Sequence, residues 1–398
     1  MTQAIEAAGA EARERGEPDW LATRREDAAR AYASLPAPTP ALRPWRYTDL
    51  TGLDFASFAP AHVPLQVTGT LAAGGYAGSL AAAGDREVVR THLGSLLPPT
   101  EGKFLAANAA QWRDGVLVHL PRGAAAAAPI VVTLDASALA QAAIYPRLLI
   151  VAEERSEATI VLRLTSGDAP LVVIGAIEVI GGPASRVRLL IDDGWGGATS
   201  DFTWVRARLE RDADLQVAAL AIGGALFKQT VEVELAGEGA TSAIRAVALG
   251  DGTQHFDFVT LQDHVAPRTT SVVEVKAALA GAARSVYYGI TRVAAEAIGA
   301  DADQANYNLL LSGSAKADSD PVLEILTANI VRCGHHATVG PVDQEALFYL
   351  ESRGLDRRTA LQLLVAGFFH SVVGELPLPG LAEQLDDRVA AKLATAAL

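Results

Sequence analysis

The chain has 398 residues, half of them hydrophobic, a net charge of -13 at pH 7 and one cysteine. That length exceeds one small core and predicts two or three substructures, while the acidic balance excludes the basic face that nucleic acid or an anionic membrane surface would need. A single cysteine excludes any internal disulfide.

Glu6, Glu11, Arg13 and Glu14 stand where a secretory signal would need an apolar core. The longest uncharged reach, 55–84, is broken by Pro60, Pro64, Gln66 and several glycines, so it does not cross a bilayer as a helix. These features predict a soluble, cytoplasmic protein.

Residues 1 to about 35 are expected to be helical, interrupted at Gly16 and Pro18, with Asp19 capping a second segment that recurs through Leu21, Ala28, Tyr32 and Leu35. A proline-rich arm, 35–44, then delivers the run Trp45 to Leu50, a cluster suited to pinning the arm onto its own core. A helix over Phe104 to Trp112 meets Asp114-Gly115, and the alternation of Val116, Val118 and Leu120 announces the first strand.

From about 115 to 330 short apolar or alternating runs follow one another with no helical segment between them, among them 148–152, 171–180, 202–209, 230–235 and 256–261. This spacing predicts a mainly β core, either sandwich or solenoid, and the scarcity of Asn-Gly and Asp-Gly joins leans toward coils over hairpins. Within it, Asp263 and His264 are direct neighbours, whose side chains leave opposite faces of a strand. They make a poor catalytic dyad, and His264 is expected to be a structural histidine. Lys276 and the Arg284 to Gly289 run would form a polar patch if they shared one face.

The cysteine opens the run C-G-H-H-A-T-V-G, 333–340. Thiol and imidazole suit iron, zinc and copper, and the spacing of Cys333 and His335 lets both leave the same side of a strand. Two or three candidate ligands do not close a site, so further ligands must come from elsewhere, most simply another chain. Pro341 and Asp343 mark the start of a helix with an apolar stripe of Leu347, Phe348 and Leu350, and Arg353 and Gly354 end it. Asp356 caps a longer helix with Leu361, Leu364, Val365, Phe368, Phe369 and Val372, closed by Gly374 and the L-P-L-P-G run 376–380. A last helix spaces Leu381, Leu385, Val389 and Leu393 four apart. This helical end is either a self-contained cap on the β core or a docking face.

Several of these stretches resemble the SufB/SufD family of iron-sulfur cluster assembly proteins. They are W-R-Y-T from Trp45, D-H-V-A-P-R-T-T-S from Asp263, R-S-V-Y-Y-G from Arg284, N-L-L-L-S from Asn308, P-V-L-E-I from Pro321, and above all C-G-H-H-A-T-V-G followed by D-Q-E-A-L-F-Y-L-E-S-R-G from Asp343. The resemblance implies a right-handed parallel β-helix, 113–340, between an N-terminal helical region with its arm, 1–112, and a C-terminal helical domain, 341–398. It implies a non-enzymatic scaffold subunit that pairs with a SufB-like paralogue, or with a second copy when alone, and docks a SufC-like ATPase through Leu361, Leu364, Val365, Phe368 and Phe369.

His335 matches the family's interface histidine and Cys333 is its neighbour; both are the metal-ligand candidates, for a transient iron-sulfur cluster shared with the partner. Reduced flavin is a further possibility in the complex. His336 falls where the family usually has glycine, and Asn329-Ile330 stand where members often carry an acidic pair. One cysteine is too few thiolates for a resident cluster, which points to the SufD-like branch.

No phosphate-binding loop, dinucleotide fingerprint, zinc-protease helix or serine-hydrolase elbow occurs in the sequence. The alternatives are a β-helical carbohydrate-active enzyme, since that fold can host clustered carboxylates, and a structural homodimer with an inert Cys333.

Overall fold

Strands of this chain are short, and each pairs with the strand two places later in sequence, always in parallel along the core. The computed structural model describes residues 2–71, 74–374 and 380–396. One sheet contains β1 (Val116–Leu120), β3 (Arg147–Ala152), β5 (Leu171–Gly181), β7 (Thr199–Leu209), β9 (Leu226–Leu235), β11 (His255–His264), β13 (Arg284–Val293) and β15 (Lys316–Ile325). The facing sheet contains β2 (Ile130–Ala136), β4 (Glu157–Ser166), β6 (Arg186–Gly194), β8 (Asp214–Ala221), β10 (Thr241–Gly250), β12 (Thr270–Leu279), β14 (Asp301–Leu310) and β16 (Arg332–Pro341). The chain therefore winds as a parallel β-solenoid, which decides between the sandwich and the coil.

What allows the winding is a repeated corner. Gly123, Arg155, Ala184, Asp212, Gly239, Arg268 and Gly299 all have positive φ. Each donates its backbone N–H to the residue just before the corresponding position of the next coil: Arg155 to Pro183, Ala184 to Arg211, Asp212 to Glu238, Gly239 to Pro267. Glycine takes this conformation freely, and a side chain there costs about 1–2 kcal/mol. Four of the seven corners bear that strain because the ladder bond fixes them.

Side chains alternate between lumen and outer face. In the first coils the lumen is aliphatic, with Val116, Val118, Leu120, Ile130, Val132 and Leu134 all buried. The outer face is covered as well: Leu117, Leu149, Val172 and Phe202 pack under the N-terminal helices, so β1 is buried almost throughout. The N-terminal helices are α1 (Thr2–Glu6), α2 (Ala8–Glu14), α3 (Asp19–Ser34), α4 (Glu87–His92) and α5 (Lys103–Gln111). Asp19 is not the cap of α3. Pro18 occupies that position, without a side-chain hydrogen bond, and Asp19 is the first helical residue, where its charge still meets the positive helix end.

The arm is pinned as expected. Trp45 is 8% exposed and stacks against Phe104, Phe202 and Trp204 at centroid distances of 5.6, 6.0 and 6.5 Å, and Thr48 donates to Asp257.

Three C-terminal helices follow the solenoid: α6 (Gln344–Ser352), α7 (Arg357–Val373) and α8 (Leu381–Thr395). Asp343 caps α6 by accepting from the N–H of Glu345 and Ala346, Asp356 caps α7, and Gly354 turns between them at φ +94°. The expected loop over 376–379 lies outside the described residues. Among those described, no helix is long and apolar enough to cross a membrane.

Candidate functional site

The two ends of the solenoid are finished differently. At the first coil, Tyr76–Ser79 pairs antiparallel with β1 and Gln66–Thr68 pairs antiparallel with β2, so both edges are covered. At the last coil, among the described residues, β15 pairs only with β13 and β16 only with β14. Their outer edges present unpaired backbone groups, the template on which another chain adds strands.

Burial along β16 says the same thing. A strand inside a sheet alternates, but His335, His336, Ala337, Thr338 and Val339 are all exposed, because no further coil covers the lumen side. Exposed apolar residues gather beside this edge: Val331 at 71%, Leu326 at 69%, Val339 at 45% and Ile325 at 39%. Such a group is unusual on a surface facing only water.

Cys333 and His335 do leave the same side of β16. Their register partners are Ala302 and Gln304, both buried and lumen-facing, so the thiol and the imidazole sit at the mouth of the open coil. Cys333 is half-buried against Val293, Ala297 and Ala300. Burial, then the nearby Asp303 carboxylate, push its thiol pKa up. The thiol is thus held protonated, a poor ligand until something displaces the proton. His336 points the other way, with Nε2 3.4 Å from Asp303 on the outer face. Among the described residues no three His, Cys, Asp or Glu side chains come close enough to hold a metal ion.

Beneath this mouth the lumen changes character. Tyr287 donates to Gln304 Oε1 at 3.0 Å and Gln304 donates to the Val322 carbonyl at 3.0 Å. Asn308 donates to Asn306 at 2.6 Å, and Asn306 to the Val275 carbonyl. Gly289 leaves room for this chain of bonds: a Cβ there would lie 2.1 Å from the Tyr287 hydroxyl and 2.5 Å from Gln304 Oε1. Sequence reasoning did not single out this polar ladder. Its signal is the alternation of Ala302, Gln304, Asn306 and Asn308, a period of two with polar residues where apolar ones are the usual guide.

His264 is structural, as its sequence position implied. It is fully buried between Thr269 and Ser271, each 2.8 Å from a ring nitrogen, and burial pushes its pKa down to about 4. Asp263 faces outward to Arg292.

The anticipated polar patch does not form. Lys276, on β12, donates to the Phe368 carbonyl and Ser371 under α7, whereas Arg284, on β13 in the opposite sheet, pairs with Asp318 at 2.6 Å, and Tyr287 lies in the lumen between.

The docking stripe of α7 also needs correction. Leu361, Val365 and Phe369 are 3%, 0% and 0% exposed and Leu364 and Phe368 are partly buried, packed on the solenoid and on α8. An amphipathic stripe beside an apolar sheet buries itself first. Among the described residues the large exposed apolar side chains of this region are Phe348 (71%), Tyr349 (55%) and Leu363 (52%), so Phe348 does not belong to the buried stripe of α6.

Fold and site define a parallel β-solenoid protein with one finished end and one unfinished end. The family model for the SUF system FeS cluster assembly SufBD core domain matches residues 133–368. SufBD family proteins of Mycobacterium tuberculosis and Mycobacterium bovis are each 30% identical over 294 residues, 72% of this chain and 73% of theirs. SufB of Bacillus subtilis is 28% identical over 301 residues, 74% of this chain and 63% of its own length. The chain belongs to the SufB/SufD family of iron-sulfur cluster assembly proteins.

Proposed function

We propose that this chain is a SufD-like, non-catalytic scaffold subunit, completed at its last coil by a SufB-like paralogue and served by a SufC-like ATPase. The observation that carries this is the unpaired edge of β15 and β16, with His335 and Cys333 at its mouth and an apolar rim around it. The iron-sulfur cluster is cargo: His335 offers a ring nitrogen to iron, the paralogue supplies thiolate sulfur, and a site so mixed releases its cluster more readily than four thiolates would. Cys333, with its raised pKa, is the lesser ligand. Reduced flavin, in this proposal, serves the assembled complex. The ATPase docks on Phe348, Tyr349 and Leu363. The family match does not favour a carbohydrate-active enzyme.

Anaerobic reconstitution with both partners, followed by iron and sulfide analysis, tests each part. Val339→Asp is expected to block pairing with the paralogue, Phe348→Glu to lose only the ATPase, and His335→Ala to assemble fully yet carry little cluster. Unchanged cluster loading in His335→Ala, or a stable stoichiometric cluster on the lone chain, would overturn the proposal.

A further inference from the structure

A cavity of about 420 Å³ lies between the proline arm and the outer face of the β7 to β11 sheet. Its volume falls in the range of small-molecule sites. The arm over it is strapped at both ends: Lys103 donates to the Leu35 carbonyl at 2.9 Å and Lys228 to the Pro44 carbonyl at 2.5 Å. Between the straps, prolines 36, 38 and 40 have no N–H to give the sheet, so the arm stands off and leaves a slot. Leu42, at the lip of this slot, is 52% exposed, an apolar side chain held over an apolar opening.

The chemistry of the lining is specific. Trp204 is only half-buried and lines the slot beside Trp45 and Phe104, whose ring centroids lie 6.5 and 6.1 Å from its own. At the edge Arg206 pairs with Glu101 at 2.6 Å and with Glu232. Lys103, the other cation of the lining, is held by the Tyr32 and Leu35 carbonyls at 2.8 and 2.9 Å, so the two cations and two carboxylates of the slot sum to no net charge and an anionic ligand gains no counter-charge. A flat uncharged ring, by contrast, gains an aromatic face from Trp204 and needs no counter-charge.

We infer that this slot binds an uncharged planar aromatic heterocycle of purine size, stacked on Trp204 beneath the arm. Nothing in the assembly reading requires it, and the two stand or fall separately. Calorimetric titration of the intact chain with adenosine is expected to show saturable binding, with the anionic adenosine monophosphate weaker. Trp204→Ala should weaken adenosine about tenfold or more, the usual loss when a base loses its aromatic platform, while Trp204→Phe retains most of the affinity and Leu42→Ala loses a few-fold. Circular-dichroism melts of each variant establish that it is folded. No saturable heat up to the solubility limit of adenosine would overturn the inference. So would an affinity unmoved by Trp204→Ala in a folded protein, or tighter binding of the monophosphate.

Discussion

The first coil and the last coil of this solenoid have the same backbone and opposite surroundings. The first has both strand edges covered by antiparallel strands, an aliphatic lumen and a second apolar layer outside it. The last has both edges open, a lumen of Tyr287, Gln304, Asn306 and Asn308, and exposed side chains on both faces of β16. A solenoid must stop somewhere, and a chain that intended only to stop would finish both ends alike. The asymmetry separates an end that the chain covers with its own strands from an end that it leaves open.

Substitutions should respect that division. Trp45→Ala, which empties the aromatic cluster over the early coils, is expected to lower unfolding free energy by about 3–5 kcal/mol, read from urea denaturation. A loss as small as that of an ordinary surface change would break the contrast.

Gly289→Ala pushes a methyl into the Tyr287–Gln304 bond under the open coil and should destabilise by about 1–3 kcal/mol, the range for overpacking. Since it also disturbs the register partner of His335, pairing with the paralogue should weaken alongside.

Acid should act on the later coils. His264 and His255 are both held neutral by burial, with pKa values lowered from 6.5 to about 4. The unfolded chain binds their protons first, so this stability is complete above about pH 6.5 and falls as pH drops toward 4. The urea midpoint measured across that window should fall, and His255→Asn should flatten part of the decline.

The smallest effect expected is a gain. Ala184→Gly relieves a left-handed corner while keeping its backbone bond to Arg211, and should stabilise by about 1 kcal/mol, visible as a higher urea midpoint.

Legibility in the sequence followed the same divide. The early strands announced themselves because their lumen is aliphatic, and Leu171 to Ile180 could hardly be anything but a buried strand. The last coils, D-A-D-Q-A-N-Y-N-L-L and K-A-D-S-D-P-V-L-E-I, carry polar side chains inward and out, and Pro321 in the second interrupts any strand pattern, as an edge strand permits. The motif Cys333 to His335 was visible from its spacing. That it sits at an unfinished edge was not.

What the residues determined by themselves are the local things: Asp343 and Asp356 as helix caps, Gly354 as the turn between, Cys333 and His335 on one side of a strand, His264 and Asp263 on two. These depend on neighbours a few positions away, where backbone geometry leaves little choice. The tertiary structure decided which faces are spent. It turned Leu361, Val365 and Phe369 inward and left Phe348 out, placed Lys276 and Arg284 on opposite sheets, and left β15 and β16 each with one edge unpaired among the described residues. Burial is a property of what the rest of the chain brings alongside, and a stripe or an edge cannot know from its own residues whether that neighbour will arrive.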